Sequence, residues 1–239
     1  MPFNKKAILN ALPDMPRWVE ARAMLINGRG MILGFEEVKN QPPTGALYQE
    51  DIGLGVIIGK PSTDLIFQLS ELADEIICPE EYGDHFSEVF LDWTYEGADI
   101  YQQKTENSPS INAPTSPRLL NKSDLNQAKG IPKPLYDELL EELTADTEIF
   151  FASTNNRPVS FCLACAKTEK FWSVSIETIA KYQRQGFARQ CFHMASQEMQ
   201  RQDLSAVWAT IDSNIASKAM VESLGFEPKD RLRVFTRKT

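Results

Sequence analysis

The stretch from Phe171 to Gln200 constrains the fold more than any other part of the chain. An apolar, strand-like run (FWSVSIETI) passes through a polar turn (AKYQRQG) into a helix spanning about Gly186 to Gln200. A strand at Ala206–Ile211, a helix at Asn214–Leu224 and a last strand near Leu232–Thr236 follow. Strands alternating with helices call for a layered α/β arrangement, with helices laid on a sheet. Within the turn, Gly186 lets the backbone approach a ligand closely, and the first helical turn leaves several N–H groups unpaired. With the helix dipole these make an anion site suited to a diphosphate, and Arg184 and Arg189 add positive charge. Taken alone, one glycine before a helix usually reads as an ordinary turn.

Upstream of that stretch, Lys133–Thr144 carries Leu135, Tyr136, Leu139, Leu140 and Leu143 on one helical stripe. Three strand-like segments come next, Glu148–Ser153, Val159–Lys167 and Phe171–Ile179, with Asn155 and Asn156 at the first turn. The first hundred residues also alternate. A short helix at Arg17–Ile26 precedes strands at Met31–Val38 and Gly53–Ile58, then a helix at Asp64–Ala73 capped by Ser62 or Thr63. A buried strand at Glu75–Cys78, a helix around His85–Trp93 and a polar strand around Ala98–Lys104 complete the pattern. No phosphate-binding glycine loop and no convergent polar cluster occurs there, and no internal repeat is visible.

At 239 residues, the chain holds one large domain or two small ones at ~150 residues each. The run NSPSINAPTSP (107–117) reads as a linker, with three prolines and three serines and no apolar period. The charge balance changes nearby. Residues 1–115 hold 8 Lys/Arg against 18 Asp/Glu (net −10), and residues 116–239 hold 17 against 15 (net +2). The division expected is therefore an N-terminal α/β part, 1–106, the linker, and a second part, 118–239. The acidic first part argues against a nucleic-acid partner.

No stretch approaches the ~20 apolar residues of a membrane span, and Pro13 and Asp14 cut short the apolar run at the start. A soluble, cytoplasmic protein without membrane contact is expected. Cys162 and Cys165 form a C-x-x-C, but residues three apart on a strand point to opposite faces, and no second pair lies at ligand spacing. No metal is expected.

Gln183-Arg184-Gln185-Gly186-Phe187-Ala188, directly after a strand ending in Thr178, resembles the Gln/Arg-x-x-Gly-x-Gly/Ala motif of the GNAT superfamily of acyl-CoA-dependent N-acyltransferases. Asn214-Ile215-Ala216-Ser217, followed by Leu224-Gly225-Phe226, resembles the second signature of that family. The likeness covers roughly Arg118–Thr239. Around Asn40–Pro61 the first half is also similar to the N-terminal part of a bacterial GNAT subfamily with an extra α/β domain.

The resemblance implies a GNAT-like mixed sheet flanked by helices in the second half, preceded by a smaller α/β domain. It also implies acetyl-CoA, or another acyl-CoA, as co-substrate. The backbone of Ile176, Glu177 and Thr178 would pair with the pantetheine arm. The amides from Arg184 through Gln185, Gly186, Phe187 and Ala188 to Arg189 would hold the diphosphate, with Gln183 also among the cofactor-binding residues. Asn214 would touch the pantetheine, and Ser217 and Lys218 would face the sulfur or the phosphates.

Direct attack of an amine on a thioester needs a base for the amine proton, a donor for the oxyanion and an acid for the leaving thiolate. The family's usual tyrosine acid is replaced here by Val221, and a glutamate base used by some members by Ala209. Glu177 is then the candidate base and Ser217 the candidate acid; a solvated strand-edge carboxylate and a small packing residue are the alternatives. His193 reads as a partly exposed helix residue, Asp212 as a strand-end turn residue and Trp208 as core. The expected activity is acetyl or acyl transfer to a small-molecule or peptide amine. The other reading is a non-catalytic, regulatory acyl-CoA-binding protein that has lost the usual acid and base.

Overall fold

The computed structural model describes residues 4–37, 42–103, 118–128, 130–145, 147–155 and 157–238. The expected linker at 107–117 and the turn residue Asn156 lie outside them.

Asn4 caps α1 (Lys5–Ala11) by accepting from the amides of Lys6 and Ala7. A 3-10 turn at Pro16–Trp18 leads to α2 (Val19–Asn27), which ends on Gly28 in the left-handed conformation. Then come β1 (Gly30–Glu36), β2 (Thr44–Gln49), β3 (Leu54–Ile58), α3 (Thr63–Leu72) and β4 (Glu75–Pro79). Ser62 caps α3 as expected, its hydroxyl accepting from the Leu65 amide.

The helix expected around His85–Trp93 is instead α4, Glu80–Ser87. Pro79 supplies the extended residue before the first turn, and Glu80 and Glu81 favour the positive end of the helix. Trp93 instead opens β5 (Trp93–Gln103).

The second half runs α5 (Lys122–Gln127), α6 (Lys133–Thr144), β6 (Glu148–Thr154), β7 (Arg157–Lys167) and β8 (Phe171–Thr178). It closes with α7 (Phe187–Arg201), β9 (Ser205–Ile211), α8 (Ile215–Ser223) and β10 (Phe226–Arg237). Among the described residues all ten strands join one mixed sheet, ordered β1-β2-β3-β4-β10-β5-β9-β8-β7-β6. Only β3–β4 and β8–β9 are parallel.

This order is symmetric about its centre. The set β1, β2, β3, α3, β4, α4, β5 repeats as β6, β7, β8, α7, β9, α8, β10. Each set gives its last strand to the other. β10 pairs with β4, β5 pairs with β9, and β5 and β10 run side by side from Phe226↔Gln103 to Arg237↔Trp93.

Strand alternation sends neighbouring residues to opposite faces. On one face Cys162, Ala164, Trp172, Val174, Trp208 and Phe226 pack beneath α7 and α8, with Phe192 and Val221 fully buried. Beneath α3 and α4 on that same face lie Tyr48, Ile76 and Phe235, with Phe86 of α4 packed onto them. On the opposite face α1 and α2 cover Leu47, Val56, Ile100 and Val207, and α5 and α6 cover Phe151, Phe161 and Leu163. Cys162 and Cys165 thus point to opposite faces of β7.

Candidate functional site

β8 and β9 begin as parallel neighbours and then part. Pairing covers Phe171↔Ser205, Trp172↔Ala206 and Ser173↔Val207, and stops there. Both strands continue, β8 to Thr178 held by β7 and β9 to Ile211 held by β5. Residues 174–178 and 208–211 therefore face each other across a wedge-shaped opening with unpaired backbone edges. Buried backbone groups require partners, so such an opening suits an extended ligand carrying amides of its own. Ile176, Glu177 and Thr178 line one side. Thr210, 5% exposed, lies on the other, and its hydroxyl oxygen has no hydrogen-bond partner.

Above the end of β8 the chain makes a tight turn. The Tyr182 amide bonds the Ile179 carbonyl, Gln183 Nε2 donates to the Thr178 carbonyl at 3.2 Å, and Gln185 Nε2 to the Lys181 carbonyl at 3.0 Å. These two glutamines hold the turn with their side chains, and the Gln183 amide is itself tied to the Ala180 carbonyl at 3.3 Å, so the diphosphate amides expected from the sequence begin at Arg184. Arg184 adopts a left-handed φ of 59°, a strained choice for a residue with a Cβ, and Gly186 follows at 87°. A Cβ at Gly186 would have nothing within 4 Å, so the space above it is open. Gly186 is the N-cap of α7 and supplies no capping side chain, so the amides of the first turn keep their donors. Phe187 turns inward against the core, while Arg189 Nη2 donates to Ser223 Oγ at 2.9 Å and so links α7 to α8.

Across the opening, Asn214 caps α8 by accepting from the Ser217 amide at 3.0 Å. Ser217 Oγ accepts from the Trp208 indole at 3.1 Å. Lys218, in the first turn, is at the wrong end of a helix for a cation. Two carboxylates explain its place: Nζ is 2.6 Å from Asp212 Oδ1 and 2.9 Å from Asp99 Oδ2. Arg231 closes the ring, 2.6 Å from Asp99 Oδ1 and bonded to Asp212 as well. Residue 97 is a glycine because the ring lies on it; a Cβ there would overlap the Arg231 guanidinium and come 2.7 Å from Asp212 Oδ2. Hydrogen bonds from Arg231 and Lys218 hold the Asp212 carboxyl down to about 2, and Lys218 is raised in return. Asp212 is therefore more than a turn residue.

On the opposite face of the sheet the side chain of Glu177 approaches α6. Partial desolvation raises its pKa although the residue is exposed. Glu138 of α6 is raised by desolvation and by the nearby charges of Glu177 and Glu142. Glu20 of α2 is raised by burial, opposed by a hydrogen bond with Ser173 and reinforced by Glu75 and Glu142. A row of carboxylates, Glu20, Glu142, Glu138 and Glu177, thus runs between α2 and α6 toward the opening.

His193 differs from expectation. It is 6% exposed, with Nε2 buried and unpartnered, because its position on α7 turns into the core beside Phe192. Burial, helped by Arg189, lowers its pKa. Trp208 belongs to the core as expected, edge-on to Phe226. The structure thus brings Ile176–Thr178, the Gln183–Arg189 turn and Asn214–Lys218 around one opening. Thr210 was missed, since a threonine in an apolar strand carries no signal of its own; Asp99 and Arg231, on distant strands, were equally invisible. Among the described residues no group of three or more His, Cys, Asp or Glu could hold a metal ion, and no helix is long and apolar enough to cross a membrane.

Residues 150–235 match the family model of the GNAT acetyltransferases. The whole chain is similar to a GCN5-related N-acetyltransferase-like protein from Streptococcus suis, with TM-score 0.71, 16% identity and 98% of each chain covered. It is also similar to a GNAT-family acetyltransferase from Colwellia psychrerythraea, with TM-score 0.58, 14% identity and coverage of 98% of this chain and 94% of that one. A GCN5-related N-acetyltransferase from Kribbella flavida gives TM-score 0.58 and 13% identity over 94% and 96%. No curated protein matches the sequence.

Proposed function

We propose that this chain, which has the GNAT fold and whose residues 150–235 are of the GNAT acetyltransferase family, moves an acetyl or other acyl group from acyl-CoA to an amine. The observation that carries the reading is the opening between β8 and β9 beside the uncapped start of α7. The open space above Gly186 and the orphaned Thr210 hydroxyl fit a long anionic thioester with amides along its arm. In this reading the backbone of Ile176, Glu177 and Thr178 pairs with the pantetheine. The amides from Arg184 to Arg189 hold the diphosphate, and Asn214 and Ser217 face the sulfur end. Lys218, with both its carboxylates engaged, holds the start of α8 in place.

The amine nitrogen attacks the thioester carbonyl carbon, its proton passes to Glu177 directly or through water, and the carbon–sulfur bond breaks. The departing thiolate takes a proton from Ser217 or solvent. A base works best with a pKa near the working pH, and desolvation moves Glu177 in that direction. The carboxylate row from Glu20 to Glu177 favours a cationic acceptor, whose charge it would offset. Residues 118–239 then carry the cofactor chemistry, and α2, from 1–106, contributes a wall of the acceptor side.

A non-catalytic acyl-CoA-binding role is the second reading. Val221 is fully buried in the core and Ala209 has no proton to give or take, so neither usual catalytic position is functional.

Thermal unfolding with acetyl-CoA, repeated on Gly186→Glu, tests cofactor binding. A ligand at ~100-fold its Kd adds about 2.7 kcal/mol. No shift at millimolar acetyl-CoA removes both readings; a shift that persists in Gly186→Glu removes the assigned site. Thiol release with a panel of diamines and amino acids then separates enzyme from binder.

A further inference from the structure

On the face of β8 opposite α7 stand Ser173, Ser175 and Glu177, the last two paired with Leu163 and Phe161 of β7. Those two β7 residues join the core beneath α5 and α6, and Trp172, Val174 and Ile176 turn to the α7 side. The serines therefore fill no core; they form a polar strip between α2 and α6. At one end Glu177 adjoins the opening, and at the other Ser173 bonds Glu20 of α2. The strand between residues 173 and 177 spans roughly 13 Å, at ~3.3 Å per residue.

Beside Glu20 lies a cavity of about 50 Å³, lined also by Asn27, Gln49, Glu142 and Cys165. Gln49 is 8% exposed, and its side-chain amide has no hydrogen bond to a described residue. Buried amides require partners, so Gln49 is an unused acceptor next to two carboxylates. Glu142 accepts from Thr147 Oγ at 2.6 Å, and neither Glu20 nor Glu142 is ion-paired to a described residue. The cavity shares Arg29, Asp51 and Glu141 with a wider cleft of about 640 Å³. Arg29 does not neutralise these acids, because its guanidinium donates to the Ala145 carbonyl. A whole drug-sized ligand needs ~300–1,000 Å³, so the small cavity suits one ammonium group and its first methylenes.

We propose that the cleft between α2 and α6 binds a linear polyamine, with one terminal ammonium among Glu20, Glu142 and Gln49 and the chain laid along Ser175 toward Glu177. The inference rests on the acyl-transfer reading above for the fate of the far nitrogen, not for the binding of the polyamine. An ammonium carries three donors and no acceptor, and the cavity offers two carboxylates and an amide oxygen. Charge-assisted bonds are the strong ones, and the cation offsets the cost of holding Glu20 without a counter-ion. The small serine side chains leave room for methylenes between the nitrogens. Chain length follows from the strip, since a short diamine cannot occupy both of its ends and a triamine can. The nitrogen at the opening, as free amine, forms the amide bond while the thioester carbon–sulfur bond breaks. Its proton goes to Glu177, the departing thiolate is protonated by Ser217 or solvent, and the products are CoA and a monoacylated polyamine.

Isothermal titration of the full chain with spermidine, putrescine and butylamine, without acetyl-CoA, tests the binding. Spermidine is expected to bind about tenfold or more tighter than butylamine, from charge-assisted bonds at the second ammonium, with putrescine between them. Glu20→Gln keeps a hydrogen-bond partner for Ser173 and is expected to fold, with a Tm no lower than the wild type at neutral pH, and to lose most of the preference for spermidine. Gln49→Leu, which removes only the amide, is expected to weaken spermidine several-fold. Spermidine binding no tighter than butylamine overturns the proposal. So does a spermidine affinity untouched by both variants, which marks a general attraction to the acidic surface. Thiol release from acetyl-CoA with the same amines separates this inference from the reading it rests on. Spermidine that binds through Glu20 without thiol release leaves the polyamine cleft standing and removes acyl transfer. Thiol release as fast with subsaturating butylamine as with spermidine removes the polyamine cleft and leaves acyl transfer standing.

Discussion

Ser217 accepts a hydrogen bond from the Trp208 indole, Nε1 to Oγ 3.1 Å. Because the indole can only donate, the serine hydroxyl proton is left to point elsewhere, and the opening beside β9 is the adjacent space. Ser217→Ala is expected to lower kcat for acyl transfer with KM for acetyl-CoA nearly unchanged. It should also cost about 1–3 kcal/mol of stability, by leaving a mostly buried indole unpaired. Trp208→Phe combined with Ser217→Ala recovers part of that loss, which a double-mutant cycle in urea reads directly.

The ring of Asp99, Lys218, Asp212 and Arg231 is partly exposed, so its value lies in geometry more than in energy. Lys218→Met should change stability little at physiological salt, because exposed ion pairs are screened. It should weaken acetyl-CoA binding several-fold, by loosening the start of α8. Asp99→Asn separates this from a direct ionic contact. If Lys218 held a cofactor phosphate, freeing it from Asp99 would tighten binding; as a holder of α8, it loses affinity in both variants.

Glu177 must be ionised to take a proton. Its pKa lies above the ordinary carboxylate range because it is partly desolvated, so activity should rise with pH through that raised value. Glu177→Gln is expected to remove that limb of the kcat/KM profile and to slow turnover ~100-fold or more, the usual worth of a positioned base. An unchanged profile in the variant excludes Glu177 as the base.

Two carboxyls shift stability in opposite directions. The folded pKa of Glu20 is raised by burial, so its favourable contribution is full below ~4.3, the unfolded value, and is lost as pH rises through the folded value. Glu20→Gln should therefore raise Tm at neutral pH and leave it unchanged below pH 4. The pKa of Asp212 is lowered to about 2, so its contribution is present above ~3.9 and lost as pH falls toward 2. Asp212→Asn should lower Tm at pH 7 and match the wild type in strong acid. Melting curves across pH 2–8 check both.

Elements whose residues combine a clear period with a cap or a glycine stop were legible, as with α3 behind Ser62, α6, and α7 behind Gly186. The two central strands were legible only in part. The second half of β5 reads as a polar strand at Ala98–Lys104 and the apolar end of β10 as one at Leu232–Thr236, while Trp93 was given to a helix and Glu227, Lys229, Asp230 and Arg231 hide the opening of β10. Those polar residues are strand because long-range pairing overrides local preference. Part of the same polarity builds the ion ring, so the features that hid the strands also hid part of the site. His193 was misread because a helix stripe drawn from Phe192, Ala195 and Met199 leaves the edge of the apolar face undefined.

The exchange of last strands sets an order of events in the growing chain. β4 ends at Pro79, but its partner on that side begins pairing at Leu232, some 150 residues later. Until β10 arrives, the β4 edge, with Ile76, Ile77 and Cys78, is an open template for other chains. Contacts of such long sequence separation form slowly. Synthesis therefore leaves the first half an unfinished sheet awaiting a chaperone or the last strand of the second half. Deleting β10 should aggregate the entire protein rather than trim the second half alone.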